Sequence, residues 1–122
     1  MPRALLVEKS STFSKYFISG LRQKFPGLEI QEATNKGKAL YLLNSFEPDL
    51  VLIDIHLSDC NGFDLSKLMK GIRPNVIIIL LASYSLPEYQ YATYDSGADY
   101  FLSNEMPLEK YFSLIDSIIY SG

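Results

Sequence analysis

The chain has 122 residues, 48% of them apolar, with 11 basic and 14 acidic side chains and a net charge of -3. That length fits one domain, the apolar share supplies a core and argues against disorder, and the charge weakens any reading in which the whole domain binds nucleic acid. One cysteine excludes an internal disulfide framework and suits a reducing cytosol, and a single histidine beside it argues against structural zinc.

Residues 4–7 form an apolar run that stops at Glu8, too short for a secretory signal. Residues 12–25 have a helical pattern, with Phe13, Phe17, Leu21 and Phe25 four apart on one face and Pro26-Gly27 as a stop. Residues 28–33 alternate more, as a half-exposed edge strand does. Asn35 is placed to cap a second helix to about Ser45, carrying Ala39, Leu40 and Leu43. Residues 50–53 are continuously apolar and end at Asp54, followed by a polar loop to Gly62. Residues 63–72 are helical, with Leu65, Leu68, Met69 and Ile72 expected inward. Residues 76–81 are the most apolar strand, and the run they begin is far below the ~18 residues of a membrane span. Residues 87–96 make a weaker, tyrosine-rich helix stopped by Gly97. Residues 100–102 are the last strand, and Pro107 opens a helix to about Tyr120, with Leu108, Phe112, Ile115 and Ile119 expected inward.

This alternation predicts a (βα)5 fold: one α/β domain over residues 1–122, a doubly wound five-stranded parallel sheet in the flavodoxin-like order 2-1-3-4-5. The first, third and fourth strands should be central and the other two should be edges. Ligand sites in such sheets lie beyond the carboxyl ends of the strands. Glu8-Lys9, Asp54, Ala82-Ser83 and Ser103-Asn104 stand there. An acid on a central strand end, near another acid, suits a divalent cation or a nucleophile. A flavin site is the remote alternative. It would need a glycine-bearing phosphate loop, and Glu8-Lys9-Ser10-Ser11-Thr12 has none.

Two stretches carry a resemblance. Asp49-Leu50-Val51-Leu52-Ile53-Asp54, followed eight residues later by Gly62, and the turn Gly97-Ala98-Asp99 are similar to the receiver domain of bacterial two-component response regulators, along essentially the whole chain. The resemblance implies that Asp54 accepts a phosphoryl group from a kinase histidine. It also implies that two acids after the first strand hold Mg²⁺ with the backbone carbonyl of His56, and that a Thr or Ser ending the fourth strand and a lysine after the fifth bind the phosphoryl group. An aromatic residue of the fifth strand, here Phe101, would rotate inward on activation. Glu8 matches the first acid. Lys9 falls on the second, Ala82 on the Thr/Ser with Ser83 next to it, Asn104 on the lysine, and Leu57-Ser58 on a Met-Pro pair.

Replacing a carboxylate by an ammonium reverses a charge beside the metal, and two unit charges ~4 Å apart interact by ~4 kcal/mol at an effective dielectric near 20. Weak or absent Mg²⁺ and weakened phosphate switching are therefore expected, with Lys9 pairing with Asp54 in the metal's place. The alternative is a fully phosphorylatable, Mg²⁺-dependent receiver. On either reading the chain is a signalling module whose only chemistry would be its own phosphorylation and dephosphorylation. Ser83 is close enough to stand in for the missing hydroxyl, but period-two alternation is expected to turn it to the other face unless the loop bends. A metal-binding His56 side chain and a reactive Cys60 thiol are disfavoured, the latter by Asp59. Tyr84, Tyr89, Tyr91, Tyr94 and Tyr100 either cover the sheet edge or form a partner surface. The resemblance implies a sensor histidine kinase or other signalling protein as partner, and a homodimer through the face of the fourth helix, fifth strand and fifth helix. It implies no direct nucleic-acid binding, no membrane and a cytoplasmic location; a DNA-binding output domain, common in the family, is not expected within these residues.

Overall fold

The computed structural model describes residues 2–9 and 12–120, and the backbone alone for Thr12 and Phe13. The expected inward side chain of Phe13 and the hydroxyls of Ser10 and Ser11 lie outside the described residues. Strand and helix alternate throughout: β1 (Arg3–Val7), α1 (Thr12–Lys24), β2 (Glu29–Ala33), α2 (Lys36–Ser45), β3 (Leu50–Asp54), α3 (Gly62–Ile72), β4 (Ile77–Ala82), α4 (Pro87–Asp95), β5 (Tyr100–Ser103) and α5 (Leu108–Tyr120). All pairings in the sheet are parallel, in the order β2-β1-β3-β4-β5, as the sequence predicts.

The unbroken apolar runs of β1, β3 and β4 arise because both faces of the sheet are covered. Leu6, Leu52, Ile79 and Leu81 pack on one side with Phe17 and Leu21 of α1, Phe25 just beyond it, and Tyr111 and Ile115 of α5. Leu5, Val7, Val51, Ile53, Ile78 and Leu80 pack on the other with Ala39, Leu42 and Leu43 of α2 and Leu65 and Met69 of α3. Each fully buried Leu or Ile contributes about 1.5–3 kcal/mol. The half-exposed β2 and the short β5 are the edges. Asn35 caps α2 as expected, its side chain accepting from the Lys38 N–H at 2.8 Å.

Three helix faces differ from the sequence reading. In α2, Leu42 is buried with Ala39 and Leu43, and Leu40 lies partly outside. In α3 the buried stripe is Gly62, Leu65, Ser66 and Met69, whereas Leu68 and Ile72 are 41% and 44% exposed. The helix is rotated because its small residues face the sheet, and the Ser66 hydroxyl is satisfied by the Ser96 carbonyl at 3.3 Å. In α5, Tyr111 is buried and Leu108 is exposed. Tyr111 can go inside because its hydroxyl donates to Asn104 Oδ1 at 3.4 Å.

The Gly97-Ala98-Asp99 turn has a visible physical role. Gly97 ends α4 at a φ of 78°, where a side chain is strained. Asp99 then accepts the Ile78 N–H at 2.9 Å and pairs with Lys70 at 2.8 Å, tying β4 and β5 to α3.

Gly62 fixes the start of α3 against the end of β3. A Cβ there would stand 2.5 Å from Ile55 Cα and 2.6 Å from the Asp54 carbonyl oxygen, both backbone atoms. Overpacking of this kind typically costs about 1–3 kcal/mol. Gly62→Ala should lose at least that much in urea unfolding and displace the Asp54 backbone, whereas Gly71→Ala, where nothing lies within 4 Å, should be neutral or stabilising. Equal stability of the two variants would show that no such contact constrains α3.

Candidate functional site

The carboxyl ends of β1, β3, β4 and β5 open into a cleft of about 300 Å³. Leu6, Phe17 and Leu81 line it together with Glu8, Lys9, Ser14, Asp54, Ala82, Ser83 and Asn104. The sheet register explains this assembly. Asp54 stands opposite Leu81 on β4, Ala82 stands opposite Ser103 on β5, and the Asn104 N–H donates to the Ala82 carbonyl at 2.9 Å.

Asp54 is half-buried, and its Oδ1 accepts the His56 backbone N–H at 2.8 Å. That local turn aims the carboxylate out of the strand and into the cleft. The His56 ring is exposed, 6.4 Å from the Tyr84 ring. The loop is closed by a bridge between His56 and Asn61 and held to α2 by the Lys36 N–H donating to Asp59 at 3.1 Å. Cys60, in that loop, is half-buried; burial first, and then Asp59, push its thiol up and away from reactivity.

Glu8 is 5% exposed, and its Oε2 has no hydrogen-bond partner. Burial, then Glu32, then Asp54 push its carboxyl up to about 7. Lys9, next to it, is exposed at the cleft rim, and the Ser14 hydroxyl donates to its carbonyl at 3.3 Å. Among the described residues no ion pair joins Lys9 to Asp54, so the expected direct pairing is not formed here.

Ala82 is buried and lines the cleft without a hydroxyl to offer it. Ser83 is not turned away from the cleft. Ala82 packs on the α2–α3 side of the sheet, so the next residue falls on the Leu81 side, the one from which Asp54 leaves β3. Neighbouring residues do alternate here, but the cleft lies on the side that Ser83 faces. The Asn104 side chain is engaged by Tyr111. Two contacts escape sequence reading: Ser14 beneath Lys9, and Glu105, whose Oε1 accepts the Ser85 N–H at 2.9 Å and bridges the β4–α4 and β5–α5 loops. The first spans only five residues, from α1 back to just past the end of β1, whereas the second has no local sequence signal, since it depends on two loops meeting in space.

The tyrosines divide into two sets. Tyr89 is half-buried at the centre of an aromatic cluster, 5.7 Å from Phe63, 6.2 Å from Tyr84 and 5.6 Å from Phe101. Phe101 is half-buried against it. Tyr84, Tyr91, Tyr94 and Tyr100 are exposed. Among the described residues no three His, Cys, Asp or Glu side chains converge as a metal-ion cluster, and no helix is long and apolar enough to cross a membrane.

Residues 4–116 match the model of the response regulator receiver domain. The chain belongs to that family. The receiver is 24% identical over 120 residues to the probable transcriptional regulatory protein SilR of Salmonella typhimurium, covering 98% of this chain and 52% of SilR. It is 23% identical over the same length to the transcriptional regulatory protein CusR of Escherichia coli K12, covering 98% and 52%. It thus spans about half the length of the curated relatives it matches. A solved signal receiver domain from Colwellia psychrerythraea superposes with a TM-score of 0.90 at 21% identity, covering 98% of each chain. A two-component response regulator from Clostridium difficile superposes at 0.88 with 22% identity, covering 98% of this receiver and 96% of that chain. These structures carry the same flavodoxin-like sheet.

The burial of Glu8 yields a pH signature. Its native carboxyl keeps a proton from the ordinary 4.5 up to about 7, while the unfolded chain gives it up. Stability from this group is complete below pH 4.5 and is lost as the pH rises through 7. Glu8→Gln, neutral throughout, should gain about 2–3 kcal/mol on wild type between pH 4.5 and pH 8 in urea unfolding. A difference that stays constant with pH would show that Glu8 is not buried in this way.

Proposed function

We propose that this receiver is a signalling module with Asp54 at the phosphoacceptor position and with weakened or lost phosphate switching, acting through contacts with other proteins. The observation that supports this most directly is the company Asp54 keeps in its cleft. Lys9, Ala82 and Asn104 line it too, and the family resemblance expects a second acid, a hydroxyl and a lysine at those three sequence positions. A transfer from a phosphohistidine would form a bond between an Asp54 oxygen and phosphorus and break the N–P bond. The charge in that transition state sits on the phosphoryl oxygens and needs fixed positive or hydrogen-bonding groups. Ala82 supplies none, and Asn104 supplies an amide in place of a cation.

The donor set suits Mg²⁺ poorly. Glu8 and Asp54 are two carboxylates, and the buried, unpartnered Oε2 of Glu8 would welcome a cation. Lys9 at the rim adds a positive charge where Mg²⁺ would need another oxygen. In our reading Lys9 lends its charge to the cleft from the rim. Ser83 favours a second reading, in which its hydroxyl covers for Ala82 and Asp54 accepts phosphate slowly with Mg²⁺. A histidine kinase or another signalling protein is the partner that membership of the family suggests, and the cytoplasm is the location that agrees with it.

Intact mass after incubation with acetyl phosphate, with and without Mg²⁺, separates these readings. Wild type should show no stable adduct above an Asp54→Asn control. A triple variant, Lys9→Asp with Ala82→Thr and Asn104→Lys, should acquire a Mg²⁺-dependent adduct at Asp54 and bind Mg²⁺ at least about tenfold more tightly. An ordinary Mg²⁺-dependent adduct in wild type would overturn the weakened-switch reading.

A further inference from the structure

Part of the wall of the Asp54 cleft is apolar. Leu6 and Phe17, each 1% exposed, and Leu81, 7% exposed, line it, so the opening reaches the core on the α1–α5 side of the sheet. A hydrated ion or a phosphoryl group gains nothing from such a surface, whereas an apolar group leaving water does. At about 300 Å³ the cleft stands at the small end of ligand pockets, which run from about 300 to 1,000 Å³. It suits a molecule of amino-acid size and not a peptide or a nucleotide.

The charges of the cleft are ordered by exposure. Glu8 is buried, and its Oε2 has no hydrogen-bond partner. A buried acceptor of this kind is costly until a donor answers it. Glu32 of β2 also engages Glu8, but it is an acid, paired with Arg22 of α1 at 3.9 Å, and brings Glu8 no cation. Asp54 is half-buried and has one oxygen taken by the His56 N–H. Lys9 is exposed. The two acids therefore lie further in than the ammonium.

We propose that this cleft binds a small zwitterion with an apolar body, of the class of the apolar α-amino acids. The ligand's ammonium answers Glu8 and Asp54, its side chain covers Leu6, Phe17 and Leu81, and its carboxylate meets Lys9. Mg²⁺ would answer the acids, but it keeps much of its water, leaves the apolar wall uncovered and is opposed by Lys9. A plain amine answers the acids and the apolar wall and is likewise opposed by Lys9. An apolar carboxylic acid brings Glu8 a like charge. The zwitterion uses all three parts of the cleft. Binding is non-covalent and places the ligand over Asp54, so the receiver is set by occupancy of the cleft in place of a phosphoryl group. The inference deepens the weakened-switch reading proposed above and rests on it.

The test is a ¹⁵N NMR titration of the whole chain with L-leucine and L-phenylalanine at millimolar concentration. Two halves of leucine run beside them: isoamylamine, which lacks the carboxylate, and 4-methylpentanoate, which lacks the ammonium. Leucine or phenylalanine should shift the amides of Glu8, Lys9, Asp54 and Ser83, and the better of the two should bind at least about tenfold more tightly than either half. Glu8→Gln, close in shape to the native side chain, should weaken amino-acid binding at least about tenfold. Lys9→Ala should weaken it too, and should leave isoamylamine binding equal or tighter. No shift with either amino acid, equal binding of leucine and isoamylamine, or amino-acid binding unchanged in Glu8→Gln would each overturn the inference. The acetyl phosphate experiment reads covalent addition to Asp54 and the titration reads reversible occupancy, so failure of either proposal is seen separately.

Discussion

Strands β1, β3 and β4 have helices on both faces, and this leaves almost no position along them where a polar side chain can be solvated. An unpaired charge in that layer would cost several kcal/mol, so the chain fills it with Leu, Ile and Val. Polar chemistry is driven to the strand ends. At the carboxyl ends the chain emits Glu8, Asp54, Ser83 and Asn104 into one cleft, because parallel strands in register end side by side. The site is thus a by-product of how completely the sheet is buried. Gly62 then sets the depth of the β3 end, since α3 begins in direct contact with the backbone of Asp54 and Ile55.

The same burial decides what can be read from sequence. A short, continuous apolar run between turn residues suits a strand covered on both faces, so the strands, their order and the edge positions are legible. Helix faces are less so. In α3 the side chains facing the sheet include Gly62 and Ser66, which carry no apolar signal, while Leu68 and Ile72 do and yet stand at the margin. In α5, Tyr111 has the composition of a surface residue, but a hydroxyl with a partner can be buried. At the site, Glu8, Lys9, Asp54, Ala82 and Asn104 are legible as members of one cleft, because strand ends are fixed once the sheet is fixed. The side on which Ser83 falls is not, because alternation gives the relative direction of neighbours and not which side holds the cleft. Contacts between loops, such as Ser85 with Glu105, have no periodicity to read.

Electrostatically the cleft is divided. One side holds Glu8, a carboxyl kept from ionising by burial and by Glu32 and Asp54. The other holds Asp54, half open to water and already sharing one oxygen with the His56 N–H. Environment therefore separates two carboxyl groups that the sequence presents as equivalents: one is pushed up to about 7 by burial, and the other is half open to water. Lys9, exposed to solvent, lines the same cleft.

The hydrogen bond from the Ser85 N–H to Glu105 has a mechanical meaning. It joins the loop that launches α4 to the loop that launches α5, while Asn104 is joined to the end of β4 on one side and to Tyr111 of α5 on the other. Tyr84 and Tyr89 continue the same line of contact from the mouth of the cleft to α4. The two loops are therefore tied at one exposed hydrogen bond, worth about 0.5–1.5 kcal/mol, and that much opposes their parting at the mouth of the cleft.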